Sequence, residues 1–94
     1  MMAALRKTDQ LETEMKFLFP KLFGGRQERN ATIINFLSIL GKPEYKGELV
    51  IIFKDDYFRN YVSEFAKSVN RLRNSDDIQL CYDLIIAING LSNN

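Results

Sequence analysis

The sequence predicts an all-α protein, a small helical bundle that forms a single domain over residues 1–94. Three observations lead to this fold class. Apolar residues recur three or four positions apart in several segments, which is the spacing of one helix face. Glycine, proline and polar turn residues separate these segments. The one continuous apolar run that could form a strand has no second strand to pair with. We therefore expect four or more helices with short connections.

The first helix is predicted from about Leu5 to Phe19. Its apolar stripe has members at i, i+4, i+7 and i+11, namely Leu11, Met15, Leu18 and Leu22. Pro20 has no backbone N–H to donate, so it should end the helix near Phe19 or kink it. Gly24-Gly25 then marks a clear break.

The stretch EMKFLFPKLF, residues 14–23, is richer in apolar residues than one buried stripe requires. Phe19 and Phe23 widen the stripe, and Phe17 faces another way. Part of this surface is then expected to be covered by another chain, because aromatic residues and methionine are favoured at interface cores. The alternative is a central helix that is buried on all sides within one chain.

The second helix is predicted in NATIINFLSILG, residues 30–41. Asn30 is a suitable N-cap. Gly41 stands where the end of a helix favours a left-handed residue. The buried positions are expected to be Ile33, Phe36, Leu37 and Leu40.

The segment KPEYKGE, residues 42–48, reads as a loop because it carries proline and glycine. The LVIIFK segment that follows is ambiguous, since a run of five apolar residues suits a buried strand or a short buried helix. The lack of a partner strand favours a helix, or a strand that pairs between subunits.

Two further helices are predicted in the second half of the chain. Asp55 or Asp56 should cap the first of them, and its inward stripe is Phe58, Val62, Phe65, Val69 and Leu72. RNSDD, residues 73–77, reads as a turn in which Ser75 or Asp76 caps the last helix. Gly90 should close that helix, whose inward residues are expected to be Ile78, Tyr82, Ile85 and Ile88.

Composition excludes several classes of function. The formal net charge is +1, so the overall charge gives no reason to expect nucleic-acid or membrane binding. Cys81, the one cysteine, is expected to be a buried, inert thiol in a reducing compartment. No leader is evident, and no apolar run is long enough to span a membrane, so we expect a cytoplasmic protein.

Catalytic and metal-binding chemistry also lacks candidates. The chain has no histidine, which removes the commonest general base and metal ligand. The pairs Asp55-Asp56 and Asp76-Asp77 each precede a helix, where carboxylates serve as caps. Gly24-Gly25 lacks the spacing and lysine of a phosphate loop. We expect no enzyme, no cofactor and no metal.

A small DNA-binding repressor is the alternative function. Lys67 and Arg71 form an i, i+4 pair, and Arg73 lies just beyond them. These side chains could contact phosphates. A solvated basic face near the end of a helix is the favoured interpretation, because cations are stabilised there in any case. Direct nucleic-acid binding is therefore not expected.

Two segments of the sequence resemble AsiA, the small anti-sigma protein family of T-even-type bacteriophages. In RNATIINFLSILG the matching residues are Ala31, Ile34, Phe36, Leu37 and Gly41. In DYFRNYVSEF they are Phe58, Arg59, Val62, Ser63 and Glu64. With one small insertion between Gly41 and Asp55, the resemblance covers nearly the whole chain.

The resemblance implies a helical fold with a helix-turn-helix-like part and a homodimer when the protein is free. It also implies binding to region 4 of the host's primary sigma factor in the bacterial cytoplasm. Sigma would then neither read the upstream promoter element nor dock on the flap of the polymerase β subunit, so host transcription would be inhibited. With a phage activator, some members of the family redirect polymerase to phage middle promoters.

Family members use one N-terminal surface for both self-association and sigma. Carried onto this chain, the resemblance places that surface on the first two predicted helices. The residues expected to form it are Leu11, Glu14, Met15, Leu18, Phe19, Leu22, Phe36 and Leu40.

Overall fold

The computed structural model describes residues 7–92, which form five α-helices and two short 3-10 helices. The α-helices are α1 (Lys7–Leu18), α2 (Arg26–Leu40), α3 (Lys46–Ile52), α4 (Asp56–Val69) and α5 (Ser75–Ser92). The 3-10 helices are Phe19–Phe23 and Pro43–Tyr45. The predicted all-α fold is confirmed. The predicted start of the first helix, at Leu5, lies outside the described residues.

The first helix changes its winding at the proline, as predicted. α1 ends at Leu18, and the chain continues as the 3-10 helix Phe19–Phe23, in which Pro20 occupies an early position that needs no N–H. The tighter winding keeps both Phe19 and Leu22 directed into the core. Pro20 therefore redirects the segment without removing it from the bundle.

α2 begins five residues earlier than predicted. Gly25 is its N-cap and provides no side-chain hydrogen bond, whereas Asn30 lies inside the helix. Asn30 instead donates through Nδ2 to Asp77 Oδ1, 3.0 Å away. Gly41 does end the helix, but at φ −80° it is right-handed, and its N–H bonds to Leu37 O at 3.0 Å. The prediction of a left-handed Gly41 is therefore wrong.

The segment after α2 is helical where a loop was predicted. Pro43–Tyr45 forms a 3-10 turn, and α3 already begins at Lys46. For LVIIFK the helical alternative is confirmed and the strand is wrong. Leu49 and Ile52 face the core, while Ile51 is exposed.

α4 begins as predicted but ends at Val69, three residues before Leu72, the last member of its predicted stripe. Asp55 is the N-cap and accepts a hydrogen bond from the N–H of Tyr57, at 2.8 Å from Oδ1. Phe58, Phe65 and Val69 are buried. The two remaining members of the predicted stripe, Val62 and Leu72, pack partly buried at its edge.

α5 differs from its prediction in cap, register and end. The side chain of Asn74, not Ser75 or Asp76, accepts hydrogen bonds from the first turn, including that from the N–H of Asp76 at 2.9 Å. The helix continues through Gly90 to Ser92. Its buried apolar residues are Cys81, Leu84, Ile88 and Leu91, and Asp77 is buried in its first turn. Three of the predicted inward residues, Ile78, Tyr82 and Ile85, lie at the boundary with solvent, because this helix is apolar over a wider arc than the core can cover.

Phe19 lies at the centre of the core. Its side chain has no exposed surface, and its ring contacts rings from α2, from α4 and from the residue that follows α3. The ring centroids nearest to it belong to Phe36 at 4.9 Å, Tyr61 at 5.3 Å, Phe58 at 5.5 Å and Phe53 at 6.0 Å. Edge-to-face and offset contacts at these separations are favourable.

Candidate partner-binding site

An aromatic groove lies between α4 and the 3-10 helix Phe19–Phe23. It has a volume of about 480 Å³ and opens broadly to solvent. We call it the aromatic groove and define it by its lining residues, Phe23, Tyr57, Asn60, Tyr61 and Glu64. A concave, mostly apolar surface with a few polar groups is the usual form of a binding site.

Helical spacing in α4 produces one wall of the groove. Tyr57 and Tyr61 are four residues apart, as are Asn60 and Glu64, so each pair lies on neighbouring turns of the same side. The Asp55 cap fixes where the helix begins, and the buried side chains of Phe58 and Phe65 fix its rotation. The polar and aromatic residues beside that buried stripe are therefore held at the surface.

The rings of the groove form a continuous set. The centroid of Tyr61 is 5.2 Å from that of Tyr57, with the ring planes at 67°, and 6.0 Å from that of Phe23. Phe23 also contacts Phe65, at 6.3 Å. Phe23 is 45% exposed and Tyr57 is 44% exposed, whereas Tyr61 is half-buried between them. Two accessible rings thus flank a third that is anchored in the protein.

Charged groups lie at the edge of the groove. Lys16 Nζ sits 5.4 Å from the centroid of the Tyr57 ring, within the range of a cation–π contact. Glu64 Oε1 is 3.3 Å from Lys67 Nζ, in an exposed i, i+3 pair.

The pKa of Tyr61 is raised above its ordinary value by a hydrogen bond with Tyr57, by burial and by the charge of Tyr57. At neutral pH the groove therefore presents Tyr61 as an uncharged phenol.

Most of the residues predicted for a shared interface are covered by the chain itself. Glu14 is exposed and Leu40 is partly buried. The other six each have 6% or less of their surface exposed: Leu11, Met15, Leu18, Phe19, Leu22 and Phe36. Within the described residues, α2, α3 and α4 pack against this stripe, so no second chain is needed to cover it. Its use as an interface stays a prediction.

The surplus apolar surface of the first segment is carried by other residues. Phe17 is 64% exposed, and its ring lies 4.2 Å from Lys21 Nζ. Phe23 is the other exposed aromatic residue of this stretch and belongs to the aromatic groove. A partner that approaches the folded chain would meet these side chains, not the stripe.

The basic residues considered for DNA binding do not share a helix. α4 ends at Val69, so Arg71 and Arg73 lie in the turn that follows it. Lys67 is the only one of the three on α4, and it pairs with Glu64. The i, i+4 helical pair on which the DNA interpretation depended is therefore not formed.

A polar cluster joins the beginnings of α2 and α5. Asp77 Oδ2 lies 2.8 Å from Arg26 Nε and 3.1 Å from Arg29 Nη2, and Asp77 Oδ1 accepts from Asn30. Arg29 Nε also donates to Asn30 Oδ1 at 3.1 Å. Arg29 Nη2 is buried and directs no N–H at an acceptor with good hydrogen-bond geometry, so its contact with Asp77 is mainly one of charge.

The cluster changes the titration of its acid. Burial would raise the pKa of Asp77, but hydrogen bonds from Asn30 and Arg26, together with the charges of Arg26 and Arg29, lower it below its ordinary value. Burial raises the pKa of the Cys81 thiol, while nearby Arg29 acts in the opposite direction. The buried thiol predicted from the sequence is confirmed.

Residues 7–92 hold no group of three or more side chains that could ligate a metal ion. In the same part of the chain, every helix is too short or too polar to cross a bilayer.

Sequence reasoning missed the aromatic groove. The i, i+4 spacing of Tyr57 and Tyr61, next to the Phe58 stripe, was visible in the sequence. It indicated a second aromatic face on the predicted helix, but nothing in the sequence placed Phe23 against that face.

Neither a family model, nor a curated protein, nor a solved structure matches the chain at a significant level.

Proposed function

We propose that this chain is an AsiA-like anti-sigma protein that binds region 4 of the primary sigma factor of a bacterial RNA polymerase. One observation carries the proposal: four of the five residues that line the aromatic groove lie in a segment that resembles the family, and Glu64 is itself one of the matching residues. Tyr57, Asn60, Tyr61 and Glu64 all belong to DYFRNYVSEF, residues 56–65.

The exposure of the matching residues also supports the proposal. Phe36 and Phe58 are buried, and their likeness to the family could reflect core packing alone. Six of the ten matching residues are exposed instead: Ala31, Ile34, Gly41, Arg59, Ser63 and Glu64. A hydrophobic core does not require particular residues at exposed positions, so a shared partner is the better explanation.

The proposed mechanism is competitive protein binding in the cytoplasm of the bacterial host. Region 4 bound to this chain would neither read the upstream promoter element nor dock on the β-subunit flap, and host promoters would fall silent. The free protein would be a homodimer, and sigma would replace the second copy. This exchange requires the sigma complex to be the tighter of the two. A phage activator of middle promoters could then join the sigma complex.

The partner surface proposed here is the aromatic groove, in place of the stripe around Met15. The reason is that a partner protein can reach the groove but not the stripe. Met15 has no exposed surface, whereas Phe23 and Tyr57 present almost half of theirs to solvent. Accessible aromatic residues of this kind are enriched at the centres of protein interfaces.

Size-exclusion chromatography with light scattering tests the proposal. The full chain is run alone and then with an excess of purified region 4 from a primary sigma factor. We expect a homodimer alone and a one-to-one complex with sigma. If the elution volume and molar mass of the chain do not change when region 4 is added, the proposed function is wrong.

A matched pair of tyrosine variants locates the surface. Tyr57 and Tyr82 are both 44% exposed, but Tyr82 lies on α5, outside the groove. Tyr57→Asp should abolish the complex and leave the circular dichroism spectrum unchanged, whereas Tyr82→Asp should bind normally. The opposite result would place the partner on α5.

A further inference from the structure

We propose that the aromatic groove binds an arginine side chain of the partner protein, with the guanidinium stacked on the tyrosine rings and facing the Glu64 carboxylate. The inference deepens the proposed function by naming the chemistry of the partner's anchoring residue. It rests on that function only for the identity of the partner.

The three rings of the groove suit a planar cation with an apolar stem. Tyr61 stands between Phe23 and Tyr57, with centroid separations of 6.0 and 5.2 Å, so the rings form a wall and not a single exposed face. A guanidinium stacks on aromatic faces and is only weakly hydrated. Its aliphatic stem can pack along the third ring.

The lining of the groove offers a carboxylate to a cation. Its five lining residues carry one negative charge, on Glu64, whereas the ammonium groups of Lys16 and Lys67 lie at its edge. Asn60 adds an amide oxygen that can accept a hydrogen bond. A guanidinium can donate two parallel hydrogen bonds to a carboxylate, which a lysine ammonium cannot do.

Lys67, the ion-pair partner of Glu64, is bound only weakly to it. The side chains of Lys67 and Glu64 are 71% and 65% exposed, and their pair spans one turn of the helix surface at 3.3 Å. Exposed pairs of this kind contribute little because water screens them. An incoming guanidinium can therefore take the place of Lys67, since the stacked rings hold it while it pairs with Glu64.

The chain already places one of its own cations on a ring of the groove. Lys16 Nζ lies 5.4 Å from the Tyr57 centroid, although Lys16 also has a carboxylate, Glu12, at 3.6 Å. The electrostatic attraction of these rings for positive charge is thus used within the molecule itself.

Nuclear magnetic resonance on the full chain tests the inference. The probe is N-acetyl-arginine methylamide, and the matched control is the citrulline derivative, which has nearly the same shape but no charge. We expect the arginine probe to shift the ring resonances of Tyr57 and Tyr61 in a saturable manner, and the citrulline derivative to shift them hardly at all. Equal shifts from the two probes, or shifts confined to other residues, would overturn the proposal.

Substitutions at Glu64 and Tyr57 test separately what the carboxylate and the aromatic ring contribute to binding of the arginine probe. Glu64→Gln should weaken binding of the arginine probe about fivefold, while Asp83→Asn, at an exposed carboxylate of α5 outside the groove, should not change it. Tyr57→Leu should weaken binding to a similar extent and Tyr57→Phe should restore it, because the phenylalanine keeps the ring. Unchanged binding in Glu64→Gln would overturn the proposed pairing even if Tyr57→Leu proved too unstable to study.

The same variants distinguish this inference from the proposed function. If region 4 binds equally well to Glu64→Gln, Tyr57→Leu and the unaltered chain, the arginine anchor is wrong and the anti-sigma function stands. If the arginine probe enters the groove but region 4 forms no complex, the anti-sigma function is wrong and the groove chemistry stands.

Discussion

Tyr61 stacks directly on Phe19, with ring centroids 5.3 Å apart and planes inclined by 29°. Phe19 has no exposed surface, and Tyr61 forms the middle of the aromatic groove. The floor of the groove is therefore the outer layer of the core. Its shape depends on core packing and not on a loop, so a partner meets a surface that is already formed.

Phe19→Ala should lower the free energy of unfolding by about 3–5 kcal/mol, because it removes a fully buried ring that contacts four others. Phe23→Ala is the matched control in the same 3-10 helix. Its ring is 45% exposed, so the loss should be less than half as large. Urea unfolding followed by circular dichroism measures both. Equal losses would contradict the central position assigned to Phe19.

Met15→Asp should prevent folding at room temperature, because it places a carboxylate at a position with no exposed surface. Phe17→Asp, two residues away and 64% exposed, should retain the fold. Circular dichroism distinguishes the two variants. A Met15→Asp protein that stays folded but no longer self-associates would restore the stripe as an interface.

Asp77→Asn should be less stable than the unaltered chain at pH 6, and the difference should disappear in acid. The pKa of Asp77 is lower in the folded state than its ordinary value of 3.8. The stabilisation is therefore complete above about pH 5 and is lost as the pH falls through the ordinary pKa and then the lowered folded-state pKa. Thermal unfolding between pH 2 and pH 7 gives the profile. Asp76→Asn, at the exposed neighbouring residue, should show a smaller change at every pH.

Gly90→Ala should raise the free energy of unfolding by about 0.5–1 kcal/mol. Gly90 lies within α5, and a β-carbon added there would meet no atom within 4 Å. Gly41→Ala is the control, since its β-carbon would lie 3.2 Å from Leu37 O. We expect no gain at that position. Urea titrations measure the free energy of unfolding of both variants. A larger gain in Gly41→Ala than in Gly90→Ala would contradict this account.

The sequence predicted helices well where a polar cap and a narrow apolar stripe agreed. α4 is the clearest case, with Asp55 as cap and Phe58, Phe65 and Val69 buried. α5 was predicted in the wrong register because isoleucines and leucines occupy much of its circumference, so its apolar pattern did not define one face. Cys81 and Leu84 are the residues buried in the core because the neighbouring helices pack against that side of α5.

The site could not be predicted from local patterns. The apolar residues around Met15 were interpreted as an interface because sequence alone does not show how many helices surround α1. The groove depends on Phe23 meeting Tyr61, a contact between segments about forty positions apart that only the folded chain defines. The beginning of α2 was missed for a related reason: Asn30 suits a cap but bonds to Asp77, 47 positions away.

The contact between Arg29 and Asp77 also bears on how the protein assembles. Arg29 belongs to α2, and the carboxylate opposite it arrives only with the last helix. A chain that packed α2 without α5 would leave Arg29 without this counter-charge and would leave the face of α2 that α5 covers open to water. The ion pair therefore forms only when the first and last parts of the chain are both in place. We expect folding to be all-or-none, with no populated intermediate that lacks α5.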